Sequence, residues 1–180
     1  MLHAHKLFWH ANPGLRSGTS CYSWTMRKLY FLLSMPGLVW GQALNLSPVS
    51  AAAGKVAPMT MTFKAPSGAE PTALQWEISY PSPQLGLEET DVAIGSAAKA
   101  AGKTLTCHGR PLDAGKYIYR CILAGGSQRV PSGPVAVFSF RVRASAQPGR
   151  ATVQLSNTMG VSSDGKQTAV DSSQADILIQ

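Results

Sequence analysis

The stretch Leu74-Gln75-Trp76-Glu77-Ile78-Ser79-Tyr80-Pro81 alternates large apolar and polar side chains without a break and then stops at a proline. Successive side chains of a β-strand point to opposite faces, so Leu74, Trp76, Ile78 and Tyr80 line one side while Gln75, Glu77 and Ser79 line the other. Such a strand is covered on one face and wet on the other. The same period recurs outward in both directions. Met59-Thr-Met-Thr-Phe-Lys64 alternates upstream; downstream, Pro134 to Arg143 sets Ala136, Phe138, Phe140 and Val142 opposite Ser139, Arg141 and Arg143. Val153 and Leu155 alternate with Thr152, Gln154 and Ser156, and Ile177, Leu178 and Ile179 close the chain. Turn residues separate these runs at Pro66 to Gly68, Pro131 to Pro134, Pro148-Gly149 and Asp164-Gly165, the last reading as a hairpin turn. One helical turn is expected, around Ser96 to Ala101. Short strands, regular turns and almost no helix predict an all-β sandwich.

Between these runs, Lys103 to Cys107 and Tyr117 to Leu123 read as two strands joined by the turn-rich Arg110 to Gly115. A hairpin of that kind sets Cys107 and Cys121 across from each other on neighbouring strands, at a separation that suits a disulfide. No Cys-x-x-Cys motif favours redox chemistry, so the bridge is read as structural. In the chain-entropy model a loop of this size stabilises by ~3 kcal/mol.

Near the start, Met26-Arg27-Lys28 is followed by an uncharged run from Leu29 to Trp40 and by Gly41-Gln42-Ala43. A basic end, an apolar run and small residues before a cut are the order of a secretory leader. Its apolar run of twelve residues is well short of the ~20 that cross a bilayer as a helix. The expected organisation is therefore an upstream extension over 1–25, a leader over 26–43, a short linker over 44–55 and one domain over 56–180. The mature chain, 137 residues from Leu44, is expected outside the cytoplasm, secreted or periplasmic, with no transmembrane segment. No lipobox cysteine follows the apolar run, so no lipid anchor is expected.

Taking the leader away changes the charge. The whole sequence holds 16 basic and 9 acidic residues, but Lys6, Arg16, Arg27 and Lys28 precede the cut and no acid does, which leaves 12 against 9, or +3. The remaining cations are scattered and no basic run is interleaved with aromatics, which speaks against nucleic acid as a partner. His3, His5 and His10 fall in the extension, leaving His108 as a lone surface loop residue, and a metal or triad site needs several convergent groups. Cys21 also lies upstream, so the mature chain holds an even pair of cysteines, as an exported protein with a disulfide should. Glu88-Glu89 with Asp91 is the one acidic cluster, and adjacent residues on one loop do not supply the opposed carboxylates of a glycosidase. Asp164-Gly165 lacks the spacing of a calcium-binding EF-hand, and Gly125-Gly126-Ser127 lacks the lysine and helix of a phosphate loop. No catalytic, metal or cofactor site is expected.

The order of these strands carries a resemblance. Met59 to Lys64, then Leu74 to Pro81 with Leu85 shortly after, resembles the opening of bacterial cohesin domains. Gly133-Pro-Val-Ala-Val-Phe-Ser-Phe-Arg-Val-Arg-Ala144 is similar to that family's later "Gly-x-hydrophobic-Ala-x-hydrophobic-x-Phe-x-Val" strand, and Pro148-Gly149, a strand at Ala151 to Ser156, Asp164-Gly165 and a terminal strand follow in order. The likeness runs from about Val56 to Gln180. It implies a nine-stranded jelly-roll sandwich in the superfamily of carbohydrate-binding modules, and a module that binds dockerins and so gathers polysaccharide-degrading enzymes.

Two functions follow as expectations. One is a non-catalytic module for extracellular protein–protein interaction, with a dockerin-like or other exported protein as partner and a candidate binding face including Gln75, Glu77, Arg141 and Arg143. The alternative is direct binding of polysaccharide, which needs an exposed row of aromatics. Trp76 and Tyr80 read as core, and Tyr117 and Tyr119 share the face of Cys121, so exposure of Trp76, Tyr117 and Tyr119 discriminates between the two.

Overall fold

The computed structural model describes residues 41–180 apart from Ala114. The expected extension, 1–25, and residues 26–40 of the expected leader lie outside the described residues. In chain order the strands are β1 (Gln42–Leu46), β2 (Val49–Ala51), β3 (Val56–Lys64), β4 (Ala73–Pro81), β5 (Leu85–Gly86), β6 (Val92–Ile94), β7 (Thr104–Leu112), β8 (Lys116–Ala124), β9 (Gly133–Val142), β10 (Gly149–Val161), β11 (Gln167–Asp171) and β12 (Gln174–Ile179). A 3-10 turn at Glu89–Asp91 and one short helix, α1 (Ser96–Ala100), complete the domain.

The strands form two layers. β1, β3, β5, β6 and β9 make one, in which β3 and β9 pair antiparallel from Val56↔Arg141 to Phe63↔Gly133. The other runs β10-β4-β8-β7, with β11, β12 and β2 attached. β1 pairs parallel with β11, so the layers join along that seam into one curled sheet.

The long strands β3, β4, β9 and β10 bury the side that their alternation marks. Trp76, Ile78, Phe63, Phe138 and Phe140 are wholly buried, and the inward residues of both layers form one core. Burial of a large side chain of this kind stabilises by roughly 1.5–3 kcal/mol. The β7–β8 register pairs Cys107 with Cys121 directly, and the two sulfurs are bonded.

Two expectations need correction. Residues 44–55, expected as a linker, hold most of β1 and all of β2. Leu44 and Leu46 are buried against Phe63 and Met61 in the β1–β3 register, and a segment that supplies core residues is part of the fold. Gln42 and Ala43, at the end of the expected leader, also stand in β1, where Gln42 Nε2 donates to the Ala69 carbonyl at 2.6 Å. The sandwich of about nine strands is present, and β2, β5 and β6, two or three residues long, are additions too short for alternation to register. His108, read as a loop residue, stands in β7, since that strand continues through Pro111 to Leu112 before the turn.

One buried cation escapes the sequence pattern altogether. Lys103 is only 6% exposed, and its ammonium donates to the carbonyls of Gly125, at 2.7 Å, and Gln128. Burial lowers its pKa. The lysine ties the loop before β9 to the start of β7, and the two carbonyls satisfy a cation that burial would otherwise leave unpaired.

Candidate functional site

The outer face of β7, β8, β4 and β10 carries the densest polar network in the domain. Register places His108, Arg120, Glu77 and Ser156 in one row across four strands, with Thr106, Ile122, Gln75 and Met159 in the next. Neighbouring strands lie ~4.8 Å apart, so four of them present a surface some 15 Å wide.

Glu77 sits at its centre and is only 5% exposed, although its register points outward. Arg120 Nε and Nη2 donate to Glu77 Oε1 at 2.9 and 2.6 Å, and Asn157 Nδ2 donates to Oε2 at 2.5 Å. Burial alone would raise the Glu77 pKa. The hydrogen bonds from Arg120 and Asn157, with the charges of Arg120 and Arg110, outweigh it and hold the carboxyl below its ordinary value.

Asn157 reaches the carboxylate because β10 is irregular there. Its register against β4 shifts between Ser156 and Met159, and Asn157 takes a φ of 48°. Asparagine tolerates that left-handed conformation better than most residues, and a bulge re-aims side chains at the cost of local ladder bonds. Beside the bulge a groove of about 490 Å³ is lined by Gln75, Arg120, Asn157, Met159, Gln167 and Ala169. Ile122 stands next to it, 47% exposed, and Arg120 keeps 61% of its side chain in solvent. The face thus combines a fixed buried anion, an exposed guanidinium and an exposed aliphatic side chain.

The four residues expected to form one binding face do not share one. Gln75 and Glu77 belong to this outer face on β4, whereas Arg141 lies on β9 in the other layer and Arg143 just beyond its end. Glu77 is also no free contact, being held by Arg120 and Asn157. Arg141 bridges Glu88 and Asp91, at 2.9 Å to each. Arg120 and Asn157 were absent from the expected set. Arg120 falls on the phase opposite Tyr117, Tyr119, Cys121 and Leu123, a signal that could have found it; Asn157 is reached only through the bulge, which no pattern announces.

The aromatics expected to decide between protein and polysaccharide fall inside. Trp76 is fully buried, Tyr119 is 4% exposed and Tyr117 is half-buried, so these three do not form a flat external platform. Among the described residues no three His, Cys, Asp or Glu side chains gather as a metal site, and no helix is long and apolar enough to cross a membrane.

Two curled, mostly antiparallel layers closed over one core define a β-sandwich. No protein-family model and no curated protein matches the sequence. Solved structures resemble it in fold, among them several cohesins. A non-cellulosomal cohesin from the hyperthermophilic archaeon Archaeoglobus fulgidus aligns with a TM-score of 0.62 at 15% identity, over 78% of this chain and 91% of that one. A chain of the Coh-OlpA–Doc918 type I cohesin–dockerin complex from Clostridium thermocellum gives 0.65 at 12%, over 78% and 99%. The cohesin module of a Clostridium perfringens family 33 glycoside hydrolase gives 0.59 at 12%, over 78% and 97%. The described domain has the cohesin fold.

Proposed function

We propose that this protein is an exported, non-catalytic interaction module whose β7-β8-β4-β10 face docks a dockerin-like protein. The observation that carries the reading is the face itself. Arg120 is pinned at its inner end by Glu77 yet 61% exposed, beside exposed Ile122 and the groove at the β10 bulge. An aliphatic anchor beside a pre-oriented guanidinium suits a helical partner that brings an apolar side chain and a carboxylate on one face. Several solved structures with this fold are cohesins in complex with dockerins, which supports that choice of partner. Export is supported by the leader pattern and by the disulfide, which persists in oxidising compartments.

Calorimetric titration of the purified protein against a panel of dockerin modules tests the reading. The expected result is saturable binding by at least one module, weakened tenfold or more by Ile122→Asp and unchanged by Val56→Asp, which replaces an equally exposed aliphatic residue (54%) on the opposite layer. Binding that survives Ile122→Asp and fails with Val56→Asp moves the interface to the other face; binding to none of the panel defeats the choice of partner.

A further inference from the structure

A second site lies at the end of the sandwich, away from the proposed docking face. Tyr80, Tyr117 and Tyr119 point inward from β4 and β8, and their rings stack in series, with centroids 5.9 Å apart for Tyr80–Tyr117 and 5.4 Å for Tyr117–Tyr119. Gly109 makes room for them. A Cβ there would meet the Tyr119 ring at 2.6 Å and the Tyr117 ring at 2.7 Å. The Tyr80 and Tyr119 hydroxyls both donate to the Leu87 carbonyl, so two of the three are spoken for. Tyr117 is half-buried, and its hydroxyl has no partner among the described residues.

These rings form one wall of a cleft of about 380 Å³, whose rim includes Arg141, Arg143, Glu88 and Asp91. Arg141 is neutralised by the two carboxylates, each at 2.9 Å. Arg143 is not. Its Nε donates to the Ser82 carbonyl at 2.6 Å, which fixes the plane of the guanidinium, while its Nη atoms have no acceptor among the described residues. The cleft therefore offers an aromatic wall, an unneutralised and oriented guanidinium and a tyrosine hydroxyl, while the Glu88 carboxylate is taken up by Arg141 and by the Asp91 backbone N–H.

We infer that this cleft binds an acidic sugar unit, a pyranose bearing a carboxylate. The Arg143 Nη atoms match a carboxylate, which arginine grips in a planar, two-pronged geometry. The Tyr117 ring offers an apolar wall to the C–H face of the sugar, and the Tyr117 hydroxyl is placed to bond its hydroxyls. A pocket near 300–1,000 Å³ with a mainly apolar wall and few placed polar groups is the usual form of a small-ligand site, and this one takes one or two rings. A peptide carboxy terminus could satisfy the guanidinium alone, but it would bring no pyranose face to the Tyr117 ring. The site differs from the flat aromatic platform expected of polysaccharide binders: it is a cleft at the end of the sandwich, selective for charge.

The test is titration of the full protein with tri-galacturonic acid, followed by NMR shifts. Controls are the neutral galactose trisaccharide and a tripeptide with a free carboxy terminus. The expected result is saturable binding of the acidic trisaccharide, with shifts confined to residues around Tyr80–Asp91, Tyr117 and Arg143. The neutral sugar should bind at least tenfold more weakly. Arg143→Gln should weaken binding tenfold or more, with Arg143→Lys recovering part of the loss, and an unchanged unfolding midpoint in Arg143→Gln assigns that loss to the site. Equal binding of the neutral trisaccharide, insensitivity to Arg143→Gln, shifts elsewhere, absence of binding or preference for the tripeptide overturns the inference.

Discussion

Replacing Glu77 by glutamine keeps the volume and one acceptor at the centre of the proposed docking face and removes the charge. Arg120 then donates to a neutral amide oxygen, while Asn157 must turn its amide to stay bonded. A hydrogen bond to a charged group contributes about 1.5–3 kcal/mol when shielded. Arg120 is 61% exposed and solvent screening reduces its share, so a loss of about 1–2 kcal/mol is expected at pH 7. Arg120→Ala should cost a similar amount from the other side, because it leaves a buried carboxylate with only Asn157. The double mutant should lose less than the sum of the two, by about 1 kcal/mol, since the residues form one network.

The pH dependence has a definite sign. The folded pKa of Glu77 lies below the usual 4.5, so the carboxylate's contribution is fully present above the unfolded value and is lost as pH falls through the folded one. Urea unfolding of the wild type and Glu77→Gln at pH 7 and at pH 3 reads this directly. The gap between the two proteins should narrow at pH 3. A gap of equal size at both pH values, or none at pH 7, would refute the assignment of Glu77 as the charged keystone of this face.

Other perturbations test the scaffold. Reducing the Cys107–Cys121 bond, or replacing both cysteines by alanine, should destabilise by ~3 kcal/mol, seen as a lower urea midpoint. Gly109→Ala drives a Cβ into the Tyr117 and Tyr119 rings and should cost about 1–3 kcal/mol by overpacking, again read from urea unfolding. A chain beginning at Leu44 lacks the bonds of Gln42 to the Ala69 carbonyl and Thr168 and should be about 1–2 kcal/mol less stable than one beginning at Gly41. Equal midpoints for those two chains would show that Gln42 is dispensable to the fold.

What could be read from sequence follows from what a periodic pattern can encode. The alternation of Leu74 to Tyr80 and of Ala136 to Val142 reports burial on one face, and these residues are buried in the structure. Cys107 and Cys121 were legible as partners because a hairpin fixes register locally. The short β2, β5 and β6 were not, because two or three residues cannot show a period. The 44–55 segment looked like a linker because β1 and β2 draw their stability from distant partners: β11 and β3 for β1, and β12 for β2.

The candidate site was less legible than the fold. Phase alone marked Gln75, Glu77, Arg141 and Arg143 as outward, yet phase does not say which layer a strand joins. That depends on the order of pairing, which sets β4 among β8 and β10, and β9 among β3, β5 and β6. Nor does phase show that an outward glutamate is covered. Glu77 is buried because Arg120 lies over it and a bulge some eighty residues away turns Asn157 toward it.

The docking face can be tested most directly by placing a photo-cross-linking residue at Ile122 and, in a separate protein, at Val56, then irradiating each with a dockerin module that binds the wild type. The account predicts a covalent adduct from position 122 and none from position 56. An adduct from position 56 alone would contradict it.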